Sequence, residues 1–164
     1  MHDGTSDDSA STAGEEVAFH THRLNRLSRL TVLALLTLHG FLLGWAAYRH
    51  SPTFDEVTYL PAGISHWELG RFDLASVSPP LVRLVAAIPV TMTNAKTEWW
   101  SYDTSPSPAA AHAVGRDFAM VNGERTFWLF TIARWACIPF SLIGGYVCWA
   151  WGRDLYGVPS GCSL

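Results

Sequence analysis

Two adjacent carboxylates, Asp55 and Glu56, stand a few residues past the end of a long apolar run. They open the stretch 51–85, SPTFDEVTYLPAGISHWELGRFDLASVSPPLVRLV. Two acids held side by side near a membrane surface are costly unless something uses or neutralises them. A carboxylate within hydrogen-bond reach of a hydroxyl can take its proton as general base. The plainer reading of the pair is a solvated loop or a cap for a following helix. Tyr59, then Gly70-Arg71-Phe72, then Pro79-Pro80-Leu81 follow within thirty residues or so, as ordered by the chain. A double proline cannot sit inside a helix, so it marks a turn and the place where a new helix can begin. A second odd charge lies far along the chain: Arg134 has apolar neighbours on both sides. At helical spacing Ser141, Gly145 and Cys148 share its face, a small and polar stripe unsuited to lipid. Such an arginine should face protein or a watery cavity and seek an acidic partner, or else snorkel to the outer surface.

The elements that must position these residues are set by two apolar blocks. The chain has 164 residues, room for about one domain, and only 15 % are charged, low for an average soluble protein. Arg23, Arg26 and Arg29 precede residues 30–48, LTVLALLTLHGFLLGWAAY, a run without formal charge that is long enough to span a bilayer as a helix. The three arginines predict a cytoplasmic N-terminus. A cleaved signal peptide competes with an uncleaved anchor, but the polar leader is long and the apolar run exceeds a usual signal core. The second block, residues 125–151, has Trp128 near one end and Trp149 and Trp151 near the other, as an aromatic belt requires, and Arg153 beyond it predicts a return to the cytoplasm. Pro139 should kink this helix or free one hydrogen bond.

Residues 1–22 are rich in Asp, Ser, Thr and Glu without apolar period and read as a disordered cytoplasmic tail. Residues 49–124 read as an extracytoplasmic loop carrying the acid pair, with residues 152–164 as a cytoplasmic end. Within the loop, residues 57–69 can form a short helix lying along the membrane with Trp67 at the interface. Residues 81–92, apolar apart from Arg83 and broken by Pro89, are too few for a normal span and read as an interfacial or re-entrant helix. Trp99-Trp100 and a Ser105-Pro106-Ser107-Pro108 loop follow, then a helix over 109–121 ended by Asn122-Gly123. The fold class is therefore all-α integral membrane protein, with two transmembrane helices and interfacial or juxtamembrane helices between them.

Gly40/Gly44 and Gly144-Gly145 would allow close helix packing, and His39 reads as a hydrogen-bonded packing residue. Cys137 and Cys148 lie about 16 Å apart along one helix, too far for a disulfide, and with Cys162 they show no zinc spacing. A net charge of −3 gives no sign of a nucleic-acid partner.

The order of these features resembles a known family. A basic leader, a first span, an Asp-Glu pair just outside it, a tyrosine, a Gly-Arg-Phe and a Pro-Pro-Leu are similar to the N-terminal part of the protein O-mannosyltransferase and aminoarabinose-transferase group. These are GT-C membrane glycosyltransferases that use polyprenyl-phosphate sugars. The resemblance covers residues 25–157. FDEVTY is similar to the family's Asp-Glu-x-x-Tyr/His and SPPL to its His-Pro-Pro-Leu, with Ser78 standing where many members have His or Asn. Members have many more spans, so this chain looks like the first module of such an enzyme, cut short or encoded separately, and inactive alone because two helices cannot enclose a lipid-linked sugar.

The resemblance implies Asp55 as the catalytic base and Glu56 as the acid that tunes or positions it. It implies a substrate-binding surface at Tyr59, Arg71, Pro79, Pro80 and Arg134, the last by location in the outer half of the second span. The implied partners are the lipid bilayer, a polyprenyl-phosphate sugar and other transmembrane helices. No cofactor is implied, and a divalent metal stays open because the leaving phosphate needs basic groups or a metal nearby. The implied place is the cell (inner) membrane. Two other readings compete: a non-enzymatic two-span protein acting through helix–helix packing, and a signal-anchored extracytoplasmic binding loop.

Overall fold

The computed structural model describes residues 5–75, 78–99, 101–102 and 108–157, and among these every regular element is a helix. They are α1 (Thr5–Arg49), α2 (Phe54–Glu68), α3 (Leu81–Thr91), α4 (Pro108–Asn122) and α5 (Arg125–Tyr156). Two stretches, Arg23–Arg49 in α1 and Arg125–Tyr156, are long and apolar enough to cross a membrane.

Residues 5–22 lie in the first part of α1. The composition argues for a disordered tail, yet α1 starts at Thr5. The leader contains neither proline nor a long β-branched run, and its Ala and Glu residues are good helix formers, so nothing in it blocks the helix from extending backwards. At the other end α5 continues to Tyr156, so Arg153 lies in its last turn and not beyond it. The Ser105-Pro106-Ser107 stretch, Trp100 and Cys162 fall outside the described residues.

Two compact units are resolved along the chain, one of residues 1–39 and 142–164, the other of residues 40–141. In the first, Gly145 lets Leu36 come so close that an added Cβ would stand 2.9 Å from its methyl carbon. The Trp149 indole N–H donates to Ser28 Oγ at 3.4 Å, and the Arg153 guanidinium lies over the Trp149 ring at 5.0 Å.

The second unit holds the acid pair. Its core joins Leu60 and Ile64 of α2, Ala87 and Val90 of α3, Phe118 of α4, and Leu129, Phe130 and Ala133 of α5. A satellite cluster gathers Ala62, Leu74, Ala111 and Val114. Two glycines set how close α2 approaches its neighbours. A Cβ at Gly63 would run into the Arg83 carbonyl of α3, and one at Gly115 of α4 would run into the Val57 carbonyl of α2. The second contact has a cause in the sequence. Pro61 lies inside α2 and has no N–H, so the Val57 carbonyl four residues back loses its helical donor. Gly115 brings its backbone against that oxygen, where only a Cα–H fits.

The prolines act as the sequence suggests at the start of α3. Pro80 is its N-cap, and the Leu84 N–H donates to the Pro80 carbonyl at 2.9 Å. Asn122 closes α4 and holds the preceding segment: its amide donates to the carbonyls of Phe118 and Lys96, and it accepts from the Lys96 N–H.

Candidate functional site

Asp55 and Glu56 fall in the first turn of α2, where a carboxylate is favoured by the helix N-terminus. Glu56, at the third helical position, accepts from the backbone N–H of the N-cap residue Thr53 at 2.7 Å, one arm of a capping box. The same carboxylate faces α5. Arg134 donates from Nε to Glu56 Oε1 at 2.8 Å and from Nη2 to Oε2 at 2.6 Å, a bidentate pair. Arg134 also donates to the carbonyls of Ala47 (3.0 Å), His50 (2.7 Å) and Ser51 (2.9 Å). These five bonds use all five guanidinium N–H groups. Three carbonyls at the end of α1 and just past it, where helical donors run out, are thereby satisfied by one side chain.

Burial pushes the Glu56 carboxyl up, but the Arg134 and Thr53 hydrogen bonds and the Arg134 charge outweigh it and hold the group below its ordinary value. It is ionised at neutral pH. Asp55, the neighbour on the chain, is exposed and takes no hydrogen bond or ion pair from the described residues. Successive helical residues are about 100° apart around the axis, so only one of two adjacent acids can meet Arg134.

The ion pair lines two cavities. One, of about 370 Å³, lies against the end of α1 and includes Ala47, His50 and Ser141. The other, of about 520 Å³, is bounded by α2, α3 and α5 and includes Tyr59, Ser78, Pro79, Arg83 and Cys137. The second is largely apolar with a few convergent polar groups, the usual make-up of a small-molecule site. Tyr59 Oη and Ser78 Oγ stand 3.0 Å apart across it, so the serine before the double proline makes a polar contact there.

Of the residues expected to act, Glu56, Tyr59, Pro79 and Arg134 line this cavity together. Asp55 and Pro80 do not line it. Arg71 is engaged elsewhere. Its guanidinium pairs with Asp73 at 2.5 Å and lies over the Tyr102 ring at 4.8 Å. Tyr102 Oη donates to the same carboxylate at 2.8 Å. Burial and the Asp73 contact push the Tyr102 phenol up to about 12, so it stays a donor throughout the physiological range.

Two functional candidates were not singled out from the sequence. Arg83 is 6 % exposed, lines the larger cavity, and has no carboxylate partner among the described residues. It donates from Nε to His66 Nε2 at 2.9 Å and from Nη1 to the Ala75 carbonyl. His66 itself is buried in α2. The signal for Arg83 was the same as for Arg134, a lone charge in an otherwise apolar helix. Among the described residues no three His, Cys, Asp or Glu side chains cluster so as to hold a metal ion, and the cations at the site are guanidinium groups.

No protein-family model matches this chain, and comparison with curated proteins and with solved structures finds no match to it.

Proposed function

We propose that this chain forms part of the site of an inverting membrane glycosyltransferase, which moves a sugar from a polyprenyl-phosphate donor to a hydroxyl or lipid acceptor. In this reading α1 and α5 cross the cell (inner) membrane and α2 to α4 lie on its far side, α2 and α3 along the surface. The exposed apolar side chains of the two long helices, among them Leu33, Leu38, Phe41, Leu42, Ile143 and Trp151, support contact with lipid. The observation that carries the reading is the Glu56–Arg134 pair. It joins the acidic turn of α2 to an arginine inside an apolar helix, at the wall of a cavity that also holds Tyr59, Ser78 and Arg83.

Arg134 has no N–H left for a ligand, so its part is to fix Glu56 and the α2 turn. Arg83 is the buried cation that retains free donors toward the described residues, and it faces the phosphate of the donor. Asp55, exposed on the same turn as Glu56, takes the proton of the acceptor hydroxyl while its oxygen bonds to sugar C1. The C1–O bond to phosphate breaks, and the electron pair leaves with the lipid phosphate, where the arginine field stabilises it.

One observation favours a second reading, the non-enzymatic two-span protein. A saturated Arg134 and a capping Glu56 would serve helix packing alone. Asp55 separates the two because it has no partner to lose among the described residues. The test uses native membranes and a photoactivatable polyprenyl-phosphate sugar. The wild-type chain is expected to be labelled at α2 or α3, and Arg83→Met to lose the label. In a full-length enzyme that carries this module, Asp55→Asn should keep the label while sugar transfer falls by about 10²–10⁴-fold, whereas the isolated chain transfers nothing. Near-normal transfer by Asp55→Asn removes it as base, and absence of labelling leaves the packing role.

A further inference from the structure

Arg83 is buried, cationic and without a carboxylate among the described residues, so what holds it must be other than an acid. The Nε–H of an arginine only donates, so the His66 Nε2 it meets at 2.9 Å must carry a lone pair. The other ring nitrogen, Nδ1, lies 2.5 Å from the Arg71 carbonyl, which only accepts, and so Nδ1 must carry the proton. The two contacts together fix one tautomer and one charge: His66 is a neutral Nδ1–H imidazole. Phe72 stacks on the ring at 4.2 Å and 14°. Arg83 Nη1 meanwhile donates to the carbonyl of Ala75, a non-glycine residue at φ 57, in the left-handed region that alanine rarely adopts. Residues 71–75 are thus tied down at both ends, by His66 and by Arg83, and Arg83 is tied to His66.

We infer that His66 is a positioning residue for the larger cavity: while neutral it holds the Arg83 guanidinium, and through it the Ala75 end of residues 71–75, and when it takes a proton on Nε2 it releases Arg83 and with it that end of the segment. Protonation turns the Nε2 acceptor into a donor. Two N–H groups and two positive charges would then face each other at hydrogen-bond distance, and one must leave. Arg83 is the side that can leave, because the His66 Nδ1–H contact to Arg71 survives protonation. The strained Ala75 backbone then loses the bond that holds it.

The charges that act on His66 are Arg83 from α3 and Asp73 from the connecting segment, and Asp73 is already shared by Arg71 and Tyr102. Glu68, two residues on in α2, is bonded to Thr97 and Trp99. Among the described residues, no charge from α4 or α5 acts on the ring. Burial lowers the His66 value, the Arg71 carbonyl raises it, Arg83 lowers it and Asp73 raises it, and the balance is below the usual 6.5. His66 is therefore neutral at pH 7, and the release lies on the acid side of 6.5. The inference rests on the glycosyl-transfer reading only in taking the cavity to be the donor site.

The experiment uses the full chain in lipid nanodiscs, without any donor. Long-range ¹H–¹⁵N correlations of the imidazoles report the His66 tautomer, and solvent exchange of the Arg83 Nε–H, corrected for intrinsic rates, reports its bond to His66 Nε2. Both are followed between pH 8 and 5, the window in which a histidine can titrate. The expected result is an Nδ1–H tautomer that titrates below 6.5, with protection of the Arg83 Nε–H lost in step. His66→Gln supplies a neutral carbonyl acceptor at every pH and should keep the protection throughout. An Nε2–H tautomer at neutral pH overturns the inference, and so does a loss of protection in His66→Gln with the same midpoint as the wild type. Should His66→Gln fail to fold, the wild-type tautomer and the coincidence of its two titrations still decide. Neither readout needs a sugar donor, so this result and the failure of the glycosyl-transfer reading are separable.

Discussion

Glu56 takes part in two interactions at once. It closes the N-terminus of α2 through the Thr53 N–H, and it neutralises the guanidinium of Arg134. Removing one partner of a buried ion pair costs several kcal/mol, because the other charge stays desolvated, and the cost is smaller here since Glu56 is a third exposed. The sign of the pH dependence follows from the depressed folded-state value of Glu56. Its contribution is present above the ordinary 4.5 and is lost as pH falls below that value through the folded one. Thermal melts in detergent should therefore show the wild type losing stability on acidification below that point. Glu56→Gln should melt lower at pH 7 and lose less on acidification, and parallel pH curves for the two proteins would show that the pair contributes nothing. That Arg134 would seek an acid was one of the two readings its sequence position offered, the other being to snorkel to the surface. Which of two adjacent acids would meet it was not legible, because that depends on the rotation of α2 about its axis. The His66–Arg83 contact was equally hidden, as it crosses between helices separated by a connecting segment whose path no local pattern specifies.

The packing of α2 is decided by what its neighbours lack. Gly63 and Gly115 let the α3 and α4 backbones reach α2 carbonyl and Cα atoms with no side chain between. Overfilling a packed interior costs about 1–3 kcal/mol, and a contact with backbone cannot be relieved by turning a rotamer. Gly115→Ala and Gly63→Ala are each expected to lower the melting temperature in detergent. Gly144→Ala is the control, because no atom lies within 4 Å of its added Cβ, and it should leave stability unchanged or raised through better helix propensity. Equal melting of all three variants would mean that the close approaches of α2 do not bear load. Four of the described helices follow patterns visible in the sequence: apolar length for α5 and the later part of α1, the double proline before α3, and Asn122-Gly123 after α4. The Gly115 contact could not be read in advance, although half of it was present as Pro61. A freed carbonyl says that something must approach, not which glycine will.

At the scale of the whole molecule, the side of the membrane that α2 to α4 would occupy is predicted by where the arginines stand. Arg23, Arg26 and Arg29 crowd the start of the apolar part of α1, and Arg153 lies in the last turn of α5. The segment between the spans also carries basic residues, which compete for the cytoplasm. The contacts of several of them remove the conflict. Arg71 is paired with Asp73, and Arg83 is buried against His66. A segment longer than about 60 residues is also translocated largely regardless of its charge. We therefore expect residues 49–124 outside the cytoplasm and both chain ends inside. Glu124, exposed between α4 and α5, is a suitable reporter. With the native cysteines replaced by serine, Glu124→Cys should react in intact cells with a membrane-impermeant maleimide, and a cysteine placed at Asp154 should react only after the cells are opened. The reverse pattern would put Asp55 and the larger cavity in the cytoplasm. A sugar donor whose headgroup faces the other side could not reach them there, so this one measurement also bears on the glycosyl-transfer reading. Reaction at both positions in intact cells would instead mean that α1 and α5 do not cross the bilayer as a pair. The apolar side chains that α1 and α5 leave exposed would then need a cover other than lipid.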